Sequence, residues 1–152
     1  KARYEHHNND VHDPGYLQFV SPIAEAVLKD FTSADKGLDF GAGTGSAISK
    51  VLSDQGYKIV QYDPFFHNFP ELLEHFFNPQ KEFGLLRKML KPGGALYCMT
   101  HIYTGEVEFD RWYYKNDPTH VFIYQKPTLE WIGANIGFSS VIIENRLVKF
   151  GV

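Results

Sequence analysis

The densest chemistry in the chain lies at Asp39-Phe-Gly-Ala-Gly-Thr-Gly45, where three glycines at alternate positions follow an acid. Glycines so placed permit a tight strand-to-helix turn and let a ligand approach the backbone closely. The helix that follows offers unpaired amide donors. Eighteen residues beyond Gly45, at the tip of a second β-rich run, stands Asp63. A carboxylate there can accept two hydrogen bonds from vicinal ribose hydroxyls. Together the turn and the distant acid point to a nucleoside-bearing ligand. A dinucleotide fingerprint G-x-G-x-x-G counted from Gly41 needs glycine at 46, and Ser46 is there instead. The chain has no Gly-Lys-Ser/Thr sequence of the kind that ends a triphosphate-cradling loop. Asp39 discriminates further, because a carboxylate beside the turn repels pyrophosphate and suits a ligand bearing an ammonium.

Other side chains could do chemistry. His120 sits in Asp117-Pro-Thr-His-Val121, after the aromatic run Trp112-Tyr-Tyr114. A histidine at the mouth of a pocket can act as a general base or hydrogen-bond a substrate; it can equally clasp its loop by bonding a backbone carbonyl. Trp112, Tyr113 and Tyr114 suit either a substrate wall or lid packing. Thr100 and His101, at the end of a β-rich run, face either a substrate or the loop around them. Tyr4, His6, His7, Asn8 and His12 form an N-terminal polar cluster whose spacing is too irregular for a metal site, and no metal is expected. Glu71, Glu74 and Glu82 read as helix-surface acids, and Cys98 as a small core residue.

The elements that must position these groups follow from periodicity. Residues 1–15 are a polar N-terminal segment ending in Pro-Gly. Leu17, Val20, Ile23, Ala24, Val27, Leu28 and Phe31 recur at helical spacing, predicting a helix over 16–31. Lys36–Phe40 and Lys58–Tyr62 read as strands, with a helix over 46–55 between them and Gly56 at its end. A helix over 80–90 stops at Lys91-Pro-Gly-Gly94, a strand follows over 95–101, and a helix over 127–136 ends at Gly137. Val141–Ile143 and Leu147–Phe150 pair as a hairpin about Asn145. Alternating strands and helices predict an α/β fold with a mostly parallel sheet, its ligands beyond the carboxyl ends of the strands.

With 152 residues, 43% hydrophobic and 22% charged, the chain fits one soluble globular domain. A net charge of −3 without a basic run disfavours a nucleic-acid partner. A single cysteine allows neither an internal disulfide nor a multi-cysteine zinc site. No apolar run is long enough to span a membrane and no secretory leader is visible, so a cytoplasmic location is expected.

Leu-Asp-Phe-Gly-Ala-Gly-Thr-Gly resembles the first motif of class I S-adenosylmethionine-dependent methyltransferases. Asp63 resembles their ribose-binding acid, Leu90-Lys-Pro-Gly-Gly-Ala-Leu the turn into their fifth strand, and Glu74-His75-Phe76 with Pro79 the segment after their fourth. The resemblance covers roughly residues 16–150. It implies a Rossmann-like three-layer sandwich whose mostly parallel central sheet ends in an antiparallel hairpin, with residues 1–152 as a single domain. It implies S-adenosyl-L-methionine as cofactor, bound around Asp39, Gly41, Ala42, Gly43, Gly45, Asp63 and Pro64, and an N-terminal segment that covers it. Asp-Pro-Thr-His also looks like a subgroup acting on small molecules, which implies a small-molecule acceptor met by His101, Trp112, Tyr113 and His120, with His120 as general base. In such enzymes the sulfonium activates the methyl group, so the protein chiefly aligns the acceptor and excludes water. A cofactor-binding domain without turnover is the alternative, and a nucleotide-dependent oxidoreductase is weakened by Ser46 and Asp39.

One departure stands out. Glu74 comes only eleven positions after Asp63, where the family places a helix and two strands. A parallel crossover alone takes about a dozen residues. Either the protein is an unusual deletion, or the natural chain carries further residues between about Pro70 and Glu74; we expect the second.

Overall fold

The structure is a computed structural model, and it describes residues 13–42, 46–63 and 72–152. Gly43, Gly45, Pro64 and the cluster Tyr4–His12 lie outside the described residues. The chain divides into two compact units, Lys1–Pro70 and Glu71–Val152.

The first unit holds α1 (Pro14–Asp30), β1 (Lys36–Phe40), α2 (Ala47–Asp54) and β2 (Lys58–Tyr62). Helix α1 starts two residues before the helix expected at 16–31, because Asp13 caps it by accepting the Gly15 amide at 2.8 Å and Pro14 occupies the first turn. Val20, Ile23 and Ala24 bury its inner face. Helix α2 begins after Ser46, whose side chain accepts the Ser49 amide at 3.2 Å. Strands β1 and β2 run parallel in register, Leu38 opposite Val60 and Phe40 opposite Tyr62.

The second unit holds α3 (Pro79–Met89), β3 (Ala95–Met99), α4 (Lys126–Ile136), β4 (Ser140–Glu144) and β5 (Leu147–Gly151). Its sheet has the order β3-β5-β4, antiparallel throughout. The hairpin β4–β5 turns at Asn145, which takes a left-handed φ of 53°. Phe83 from α3, Leu129 from α4, Val148 and Phe150 from β5, and Tyr124 are each fully buried. The architecture is thus α/β, with a parallel pair in one unit and an antiparallel sheet in the other. Strand β3 ends at Met99 rather than His101, although the Thr100 amide still donates to the Arg146 carbonyl at 3.0 Å in the register of the β3–β5 pair. Among the described residues, no helix is long and apolar enough to cross a membrane.

Candidate functional site

In the first unit the chemistry gathers at the carboxyl ends of β1 and β2. The Gly41 amide donates to the Tyr62 carbonyl at 2.8 Å, so Gly41 and Asp63 leave the parallel pair at the same end. Gly41 has φ 86°, a left-handed turn that a side chain would strain. Ala42 is buried behind it. One oxygen of Asp39 accepts the Ser49 hydroxyl at 2.6 Å, which ties the acid to the first turn of α2. Burial, and secondarily the charge of Asp39, push the Tyr16 phenol up to about 12. Asp39 is therefore a half-buried acid held by a hydroxyl, with a phenol of α1 in its field.

In the second unit a compact polar cluster forms around Glu74. The residue is fully buried, which corrects its assignment as a helix-surface acid. It lies in a short 3-10 turn, Leu73–His75, and not in a helix. Its Oε1 accepts the Tyr114 hydroxyl at 2.5 Å and its Oε2 accepts the Thr100 hydroxyl at 3.2 Å. The Glu74 carbonyl accepts the amides of Val121 and Phe122 at 2.9 and 3.0 Å, and the Tyr124 hydroxyl donates to the Leu73 carbonyl at 3.0 Å. These bonds fasten the turn to the segment that carries His120.

His120 Nδ1 lies 2.7 Å from the Tyr114 carbonyl and His75 Nδ1 lies 2.8 Å from the Thr119 carbonyl. A carbonyl only accepts, so both Nδ1 atoms donate. In each neutral ring this leaves Nε2 as the acceptor atom. His120 Nε2 is 4.0 Å from Glu74 Oε1, and the two imidazole rings meet edge to face with centroids 5.2 Å apart. Asp117 braces the loop by accepting both the hydroxyl and the amide of Thr119, at 2.7 and 2.9 Å. Burial works against its charge, but the Thr119 bonds together with His120 and His75 hold its carboxyl below the usual range. Cys98 is buried as expected, and burial first, then the Glu74 charge, raise its thiol so that it stays protonated.

The remaining acceptor-side candidates separate by exposure. His101 packs its ring on Tyr114 at 4.8 Å and on Tyr113 at 6.2 Å. Tyr113 is 69% exposed, whereas Trp112 is buried against Tyr103, Phe109 and Tyr114. The structure brings His75, Thr100, Tyr114 and His120 around Glu74 and leaves Tyr113 outside that cluster. Glu74 and His75 are the functional candidates that residue spacing missed. Their signal was an acid and a histidine set inside the apolar run Leu72-Leu-Glu-His-Phe-Phe77, which no solvated helix face explains.

A family model described as a methyltransferase domain matches residues 12–142. No curated protein matches the chain. Among solved structures, the crystal structure of an S-adenosylmethionine-dependent methyltransferase from Archaeoglobus fulgidus is similar, with a TM-score of 0.64 at 18% identity. The match covers 84% of this chain and 72% of that one.

Proposed function

Because the chain belongs to the methyltransferase-domain family, we propose that it methylates a small-molecule acceptor, with the cofactor held by the first unit's strand ends. The enzyme is an S-adenosylmethionine-dependent methyltransferase. The observation that carries the cofactor assignment is the level exit of Gly41 and Asp63 from the parallel pair β1–β2. That geometry fits S-adenosylmethionine: a carboxylate stands beside a turn whose left-handed glycine keeps side-chain bulk away. In this reading Asp63 holds the ribose hydroxyls, and Gly41 and Ala42 face the methionine portion with Asp39 near its ammonium. Gly43, Gly45 and Pro64 complete the set on sequence grounds alone.

For the acceptor we propose His101, Tyr113 and His120, with Trp112 supporting the loop from its buried position. His120 is the residue through which the acceptor loses its proton, since its Nε2 is held as an acceptor atom beside Glu74. The net charge of −3 and the absence of a basic run support a small molecule over a nucleic acid. We also propose residues 1–152 as one domain of the Rossmann-like three-layer kind, a reading that the family match across residues 12–142 supports. Assaying S-adenosylhomocysteine release across a metabolite panel tests the function. Turnover with one acceptor class is expected. Tight cofactor binding without release on any acceptor favours a binding domain instead.

A further inference from the structure

We propose that Glu74, His75 and His120 form a binding site for one divalent transition-metal cation, with Zn²⁺ as its natural probe. One carboxylate oxygen and one nitrogen from each ring lie within 4.8 Å of one another. The arrangement has the supports a metal site needs, beyond the proximity of three ligand types. Each imidazole donates Nδ1–H to a backbone carbonyl, of Thr119 for His75 and of Tyr114 for His120, which fixes the ring and turns Nε2 into the ligand atom. The Glu74 carboxylate is oriented by two hydroxyls, Tyr114 on one oxygen and Thr100 on the other. The acid so held has a side chain only 1% exposed. A carboxylate oxygen and a nitrogen of each ring thus converge in a largely buried place, a donor set that suits a cation.

The backbone holds the site ready. The Glu74 carbonyl accepts two amides from the residues just after His120, so the ligands on the two segments keep their spacing without the metal. Metal–ligand bonds of about 2.0–2.2 Å place neighbouring donor atoms roughly 3.4 Å apart in a tetrahedron. The 4.8 Å outer spacing therefore closes by about 1.4 Å on binding, within the reach of side-chain rotation. Two imidazoles and one carboxylate favour Zn²⁺, Co²⁺, Fe²⁺ or Mn²⁺ over Mg²⁺ or Ca²⁺, which prefer all-oxygen shells. Three protein ligands leave at least one position open, as in catalytic sites. There a cation binds an acceptor hydroxyl and lowers its pKa, the proton passing to solvent. This last step rests on the reading of His120 as an acceptor-side residue and changes what its Nε2 holds, a cation in place of a proton; the binding of metal does not depend on it.

The test uses the whole protein, stripped with chelator and titrated with Zn²⁺ by calorimetry and with Co²⁺ by visible absorption, in the absence of cofactor and acceptor. One-to-one binding and the d–d bands of low-coordinate Co²⁺ are expected. Glu74→Gln, His75→Gln and His120→Gln should each weaken binding by about 100-fold or more, beyond the effect of losing an outer-shell partner. A double variant, His6→Gln with His7→Gln, should bind as wild type. Should Glu74→Gln fail to fold, the two histidine variants at part-exposed positions carry the test. Absence of saturable one-to-one binding, or binding unchanged in the folded histidine variants, overturns the site. S-adenosylhomocysteine titrated into the same metal-free protein reports separately on the cofactor reading, so the two can fail independently.

Discussion

Asp63 and Glu74 are both acids, yet their surroundings assign them opposite consequences on removal. Asp63 follows the last residue of β2 and is half-buried, whereas Glu74 is fully buried. Asp63→Ala should leave the fold intact and weaken S-adenosylmethionine binding by about 1–3 kcal/mol, the worth of charge-assisted bonds to hydroxyls. Calorimetry giving wild-type affinity in the folded variant removes Asp63 from the ribose. This acid was legible in the sequence, since its distance from the glycine turn and its place at a strand end carry the signal. Glu74 was not, because the hydroxyls that bury it come from positions 26 and 40 residues along the chain. His120 was legible as a candidate, but its state was not: only the Tyr114 carbonyl shows which nitrogen is available. His120→Asn removes that nitrogen and should lower kcat by about 10²–10⁴-fold while cofactor affinity holds. With a cation on Nε2, raising the pH does not restore the rate. Recovery at high pH in the pH–rate profile returns His120 to the role of base, and an unchanged kcat with raised KM makes it a loop clasp.

Among the elements, β1 and β2 match their sequence bounds residue for residue, since short apolar runs closed by a glycine turn and by Asp63-Pro64 leave little freedom. Strand β3 stops at Met99, short of its sequence bound at His101: the Thr100 amide keeps the ladder's register on Arg146 while its hydroxyl turns to Glu74, a tertiary contact that periodicity does not record. Two glycines in helices look alike in the sequence and differ in the structure. At Gly84 of α3 an added Cβ meets nothing within 4 Å, so Gly84→Ala should stabilise by up to about 1 kcal/mol through helix propensity. At Gly133 of α4 the same atom runs into the Val141 side chain on β4. Valine is stiff about χ1, and overpacking costs about 1–3 kcal/mol, which outweighs the propensity gain. Gly133→Ala should therefore lower the urea midpoint while Gly84→Ala raises it. Helix α1 carries a pH dependence of its own. Tyr16, raised from an ordinary 10.0 to about 12, stays protonated in the fold while the unfolded chain ionises. Its contribution is complete below about pH 10 and is lost as the pH climbs toward 12. Melting curves over that range should fall less steeply for Tyr16→Phe than for wild type, and parallel curves place the phenol in ordinary solvent.

At the scale of the molecule, the parallel pair β1–β2 is the feature that the 152 residues leave unfinished. Parallel sheets are found with both faces covered. In this pair the register puts Lys36, Leu38 and Phe40 on one face with Lys58, Val60 and Tyr62. On that face Leu38 is 42% exposed, Val60 64% and Tyr62 50%. Hydrogen bonding tells the same story, because among the described residues β1 has a strand partner on one side only. A strand so left presents an unpaired edge, which folded proteins usually pair or cover. The interval from Asp63 to Glu74 is eleven positions, too short for a crossover and a further parallel strand. A strand against β1 and a helix over Leu38, Val60 and Tyr62 would resolve both defects, and the natural place for them in the chain is between Pro70 and Glu74. We therefore expect the protein from its native source to carry at least about a dozen further residues inserted there. Peptide mapping across Phe69 to His75 measures this directly. An uninterrupted peptide through that stretch would instead establish a methyltransferase whose first parallel strand pair folds with one apolar face exposed.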